Sequence, residues 1–167
     1  MISVGISFES TEPAYFFNWP ETDETERNKR RIRKLDFIII TNNPRVQREY
    51  GDKYCIVYQE CSFDEILYTV RDKVHKGHKL LTHPLSGSVK PNETPYKSIM
   101  ISVDRGPMDN DSLMMIEDAI VVATSGKFDK YRERQKILAP RHLADFQMVD
   151  FFLISGGIES AQTGLKV

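Results

Sequence analysis

Residues 37–40, Phe-Ile-Ile-Ile, form an unbroken apolar run that stops at Thr41-Asn42-Asn43-Pro44. A strand with one solvated face alternates, whereas a run with no polar position has to be covered on both faces. A chain built around such a strand needs a layer on each side of a sheet. The Asn-Asn-Pro that follows is turn chemistry and marks where the strand ends. A length of 167 residues is about one domain, able to bury roughly 68–70% of its unfolded surface.

From this strand the pattern continues as α/β. A short helix over about 45–50 leads to a second strand over Tyr54–Gln59. Ser62-Phe63-Asp64-Glu65 is a capping box, the serine meeting an N-terminal amide while Glu65 reaches back. The helix it opens carries Ile66, Leu67, Val70 and Val74 on one face and stops at Lys76-Gly77. Lys79–Thr82 reads as a third strand and Ile99–Val103 as a fourth. Two βα steps are the usual build of a parallel sheet with right-handed crossovers. The expected fold is α/β, a mostly parallel central sheet of four to five strands flanked by helices in a Rossmann-like three-layer arrangement, its first three strands mutually parallel.

The remainder is helical. A helix over about 111–124 is apolar nearly all round (Leu113, Met114, Ile116, Ile120, Val121) and is expected to be buried. Another begins with Pro140 in its first turn, presents Leu143, Phe146, Val149 and Leu153 to the core, and ends or breaks at Gly156-Gly157.

Residues 1–35 read as an extension to the single α/β domain of residues 36–167. Ile2, Val4, Ile6 and Phe8 alternate with small and polar residues, as in a half-buried edge strand. An aromatic segment follows (Tyr15, Phe16, Phe17, Trp19), then a helix over 21–34 that is acidic first and basic last, which suits the helix dipole. The uncovered apolar side of the strand should pack on the main domain or on a second copy of the chain, which makes a homodimer one expectation.

Composition narrows the function. A formal charge of −1 argues against a surface made to neutralise nucleic-acid phosphates. No apolar run approaches a membrane span. The start, MISVGISFES, lacks a basic opening and an unbroken apolar stretch, so it does not read as a signal peptide. Two cysteines, Cys55 and Cys61, make no disulfide framework, and a reducing, cytoplasmic setting is expected. Cys55 lies in an apolar strand, where an inert thiol is the norm. Cys61 precedes a helix N-terminus, which lowers thiol pKa and makes it a weak nucleophile candidate.

The working surface is expected at residues 83–98, HPLSGSVKPNETPYKS. Ordered loops of this length inside compact domains tend to be functional. Its start follows the C-terminal end of a strand, where open α/β sheets place ligands. Ser86, Gly87 and Ser88 could turn amides and hydroxyls toward one anion, with Lys90 or Lys97 supplying charge and Asn42, Asn43 and Asn92 further polar groups. His83 could act as a general base, since imidazole titrates near neutrality, or could simply fix the loop by hydrogen bonds. His75, His78 and His83 lack the ligand pattern of a zinc site, and neither a metal nor any other cofactor is expected. No phosphate-binding or dinucleotide glycine motif is present.

The stretch from Val70 through Ser98, and above all HPLSGSVKPNETPYKS, resembles the GrdX family of amino-acid-fermenting bacteria. Thr41-Asn42-Asn43-Pro44 and Asp145-Phe146-Gln147-Met148-Val149-Asp150 are similar to that family too, and the likeness covers roughly residues 36–155. The resemblance implies association with the glycine, sarcosine and betaine reductase systems of anaerobes. It implies no activity and carries over no catalytic residue. The leading expectation is an accessory or regulatory binding protein whose partner is a reductase component or an anionic small molecule. The alternative is a small enzyme acting on an anionic metabolite, an acyl phosphate or carboxylate, with His83 as general base and Lys90 as charge clamp.

Overall fold

The computed structural model describes residues 37–85 and 89–163. The features expected in residues 1–35, and Ser86, Gly87 and Ser88 of the loop, lie outside the described residues.

Strand β1 (Phe37–Thr41) is buried at every position, as its sequence requires. Helix α1 (Pro44–Tyr50) follows at once. Asn43 caps it by accepting from the Arg45 amide, and Pro44 fills the first turn, where a missing N–H is harmless. Strand β2 (Cys55–Tyr58) pairs parallel with β1. Helix α2 (Phe63–His75) opens on the expected capping box: Ser62 Oγ accepts from the Glu65 amide, and the Glu65 carboxylate accepts from the Ser62 amide at 2.7 Å. Gly77, at φ +90°, closes it, and a Cβ there would run into the Gly106 carbonyl. Then come β3 (Ser98–Ser102), α3 (Asn110–Thr124), a single 3-10 turn (Gly126–Phe128), α4 (Asp129–Gln135) and α5 (Pro140–Gln162).

Alternate residues of the strands feed two cores. Ile38, Ile40, Val57, Ile99 and Ile101 meet Phe63, Ile66, Leu67, Val70 and Val74 of α2 and Ile116, Ile120 and Ala123 of α3. Phe37, Ile39 and Met100 meet Val46 of α1 and Ile154 and Ile158 of α5, with Tyr50, Tyr54, Ile56 and Phe151 at the margin. The sheet therefore has helices on both faces.

Its composition differs from the expected mostly parallel, Rossmann-like sheet of four to five strands. It has three strands in the order β2-β1-β3, with β3 antiparallel to β1. Apolarity says that a strand is buried and is silent on which neighbour it takes. The choice is made by polar groups at the strand ends: in the antiparallel register Ser98 sits opposite Thr41, and their hydroxyls meet at 2.6 Å. Lys79–Thr82 lies beyond β3 and makes only an isolated antiparallel bridge, Leu80 to Ile101. Its ladder ends when the Thr82 hydroxyl takes the Met100 amide at 2.9 Å, and Pro84 has no amide to extend it.

Two helical expectations are also corrected. α5 runs straight through Gly156-Gly157. A Cβ on Gly157 would lie 2.9 Å from Thr82 Cγ2 and 3.3 Å from Met100 Sδ, so the glycine serves a close helix-to-sheet approach. The buried residues of α5 are Asp150, Ile154 and Ile158, whereas Val149 and Leu153 are exposed. α3 buries Ser112, Ile116, Ala119, Ile120 and Ala123 and leaves Met114 and Val121 in solvent, 66% and 67% exposed. Among the described residues no helix is long and apolar enough to cross a membrane.

Candidate functional site

At the C-terminal end of β1 the backbone must stop pairing, and polar side chains take over. Asn42 is 5% exposed and Asn43 fully buried. The Asn42 amide donates to the Cys61 carbonyl at 2.9 Å and the Pro95 carbonyl at 2.8 Å, while its oxygen accepts from the Lys97 amide at 2.7 Å. Asn43 donates to the Gln147 carbonyl at 2.9 Å and to Asp150 Oδ2 at 2.8 Å. Asp150, itself buried, accepts at Oδ1 from the Ser98 amide at 2.9 Å and at Oδ2 from the Ser98 hydroxyl at 2.7 Å. One carboxylate on α5 thus joins the end of β1 to the beginning of β3.

Above this network lies a crevice between the loop, α2 and α5. Phe63, Leu85, Val89, Val149 and Leu153 make its apolar walls, and Lys90, Thr94, Tyr96, Lys97 and Asp150 its polar part. Its volume is about 10 Å³, room for one water. Lys97 is 5% exposed. Burial lowers the pKa of its amine, and the Asp150 carboxylate pulls the other way.

The loop is braced from α4. Gln135 donates to the Asn92 carbonyl at 2.6 Å and the Thr94 carbonyl at 3.2 Å. Asn92, at φ +60°, donates to Asp64 Oδ1 and to the Ala123 carbonyl, and Arg132 bridges the same two groups. Lys90 lies over Tyr131, with Nζ 3.4 Å from the hydroxyl.

Of the residues singled out from sequence, Lys90 and Lys97 are brought together on the crevice, with Asn42 and Asn43 supporting it from behind. Asn92 is buried and committed to holding the loop. His83 is exposed, does not line the crevice, and has Nδ1 within 3.0 Å of the Leu85 amide and 2.8 Å of its carbonyl. The Cys61 thiol is pushed up to about 11 by burial and by the Glu65 carboxylate, which overturns the expectation of an activated thiol. Cys55 is also raised by burial. No group of histidine, cysteine or acidic side chains among the described residues could hold a metal.

Sequence reasoning missed Asp150, Tyr96 and Ser98. Asp150 had a signal: it is the single charged residue between Asp145 and Glu159, flanked by Met148, Val149, Phe151 and Phe152. Tyr96 and Ser98 had none, because their partners are far along the chain: Gln147 for Tyr96, Thr41 and Asp150 for Ser98.

The family described as GrdX-like protein matches residues 38–159. The chain belongs to the GrdX-like family. The match begins in β1 and ends in α5, so every side chain lining the crevice falls within the GrdX-like region. No curated protein and no solved structure matches the chain.

Proposed function

We propose that this GrdX-like protein is an accessory or regulatory binding protein of the glycine, sarcosine and betaine reductase system, and that it takes a small anionic ligand at the surface of the 83–98 loop. The observation that carries the reading is the loop held against α4 by Gln135, with Lys90 exposed on it beside Tyr131. An anion at the loop would meet the exposed Lys90 ammonium, a charge-assisted contact. The bracing by Gln135 and Asn92 supports the reading, because a loop already held in place loses little entropy on binding.

Calorimetric titration of the full chain with phosphate, sulfate and acetate tests the ligand. Binding that Lys90→Ala weakens is expected; a charge-assisted hydrogen bond is worth about 1.5–3 kcal/mol, so roughly tenfold or more in Kd. No heat from any of the three at millimolar concentration would overturn the ligand reading. The partner is tested separately, by capture of reductase components on the immobilised chain.

A further inference from the structure

We propose that the outward side of α4, together with Lys90 and Ile137, is a docking surface for an acidic protein segment that carries an apolar side chain beside its carboxylates. The inference rests on the loop with Lys90 being the working surface. Residues 127–141 hold six basic and two acidic side chains in a chain whose formal charge is −1, so positive charge is gathered here. The two carboxylates are already taken, Asp129 by Arg132 at 2.6 Å and Glu133 by Lys136 at 2.7 Å. Helical spacing then sorts the rest. Tyr131, Arg132 and Gln135 share one side of α4 and are spent on Lys90, Asp64 and the loop carbonyls. Lys130 and Arg134 stand one turn apart on the other side, both exposed, and among the described residues neither has an ion pair.

Two contacts say what kind of anion fits. Lys90 and Lys130 come from separate segments, yet their Nζ atoms lie 5.8 and 5.1 Å from the centroid of one ring, that of Tyr131. A carboxylate arriving there meets both charges. The same ring also stacks on Phe128, which leaves it ill suited to stacking a nucleic-acid base. Ile137 supplies the second contact. Its amide bonds to the Arg134 carbonyl at 3.2 Å, so the turn continues past α4 and sets Ile137 beside Arg134. At 83% it is the most exposed large apolar side chain among the described residues. An isoleucine in that position gives nothing to a bare phosphate or sulfate and can bury only against an apolar group.

The probe is a short fluorescein-labelled peptide of glutamates with a central leucine, titrated onto the full chain and read by fluorescence anisotropy. An all-glutamate peptide and an oligothymidylate of equal charge serve as comparisons. The leucine peptide is expected to bind best. Lys130→Glu with Arg134→Glu should weaken both peptides roughly tenfold or more, since two attractions become repulsions. Ile137→Ser should weaken the leucine peptide alone. Carbodiimide coupling should join the peptide to Lys130 and Lys90 ahead of the exposed Lys53 and Lys76. The proposal is overturned by oligothymidylate binding as tightly as the leucine peptide, or by variants that change nothing. It is equally overturned if carbodiimide alone joins Lys130 to residues 1–35 or to a second copy of the chain. Phosphate binding without peptide binding sinks the docking surface alone. Peptide binding without phosphate binding sinks the small-ligand reading alone, and neither binding sinks both.

Discussion

Asp150 accepts three hydrogen bonds on two oxygens and is only 4% exposed. Truncating it would leave the Ser98 amide and one N–H of the Asn43 side chain buried without an acceptor, at about 1–3 kcal/mol for each unmet group. Asp150→Ala is therefore expected to lose about 3 kcal/mol or more in urea or guanidinium denaturation. Asp150→Asn keeps the shape but turns an NH2 toward donors, and should fall between the two. A loss of under about 1 kcal/mol for the alanine variant would show that water replaces the carboxylate. The same residue marks the limit of sequence reading at this scale. Its isolation among apolar neighbours was visible, but nothing local said that three donors from distant segments converge on it. Cys61 gives the converse case: proximity to a helix N-terminus was legible, and the burial and Glu65 charge that outweigh it were not.

Among the elements, α5 makes the sharpest test. Gly156 and Gly157 are adjacent, yet a Cβ on the first meets nothing within 4 Å, while on the second it meets Thr82 and Met100. Gly156→Ala should gain up to about 1 kcal/mol from helix propensity. Gly157→Ala should lose about 1–3 kcal/mol because the helix or Thr82 must move. Melting temperatures of the two variants should therefore shift in opposite directions, and equal shifts would remove the close approach from the account. Local chemistry was legible wherever it was self-contained: the Ser62–Glu65 box, Pro140 at the start of α5, and the apolar run of β1 all stand where the sequence put them. Illegible were features that depend on a partner far along the chain. The reversed direction of β3, the single bridge at Leu80 and the rotated face of α5 are of this kind.

For the molecule as a whole, acid should act in two stages. His78 is 1% exposed, and Arg105 Nε lies 3.2 Å from its Nε2. Arginine can only donate, so Nε2 accepts, and Nδ1 carries the proton that it gives to the Ser102 carbonyl at 2.7 Å. This neutral ring has its pKa lowered by burial first and by the nearby Arg105, Lys73 and Lys76 charges after it, the Ser102 bond opposing. Between the lowered value and the ordinary 6.5 the unfolded chain binds a proton that the folded chain refuses. Stability contributed by His78 is thus present above 6.5 and lost as pH falls toward the lowered value. A second loss belongs to carboxylates. Glu65, held below 4.5 by its bonds to Ser62, and Asp109, lowered to about 2 chiefly by Ser112, favour the fold above their ordinary values. That contribution disappears as they protonate. Denaturation midpoints from pH 8 to 2 should show both stages, and His78→Asn should flatten the first and spare the second. A slope unchanged in that variant would assign the first stage to another group.

The mixed sheet also matters before the protein is complete. β1 is the central strand, and its partner on one side, β2, is synthesised soon after it, whereas Thr41 waits for Ser98, 57 positions later. While the ribosome works through that interval, the nascent chain carries a row of isoleucines with one hydrogen-bonding edge unclaimed, which is the edge that other chains can join. The emerging polypeptide is thus most vulnerable to misassociation between the appearance of β1 and the arrival of β3.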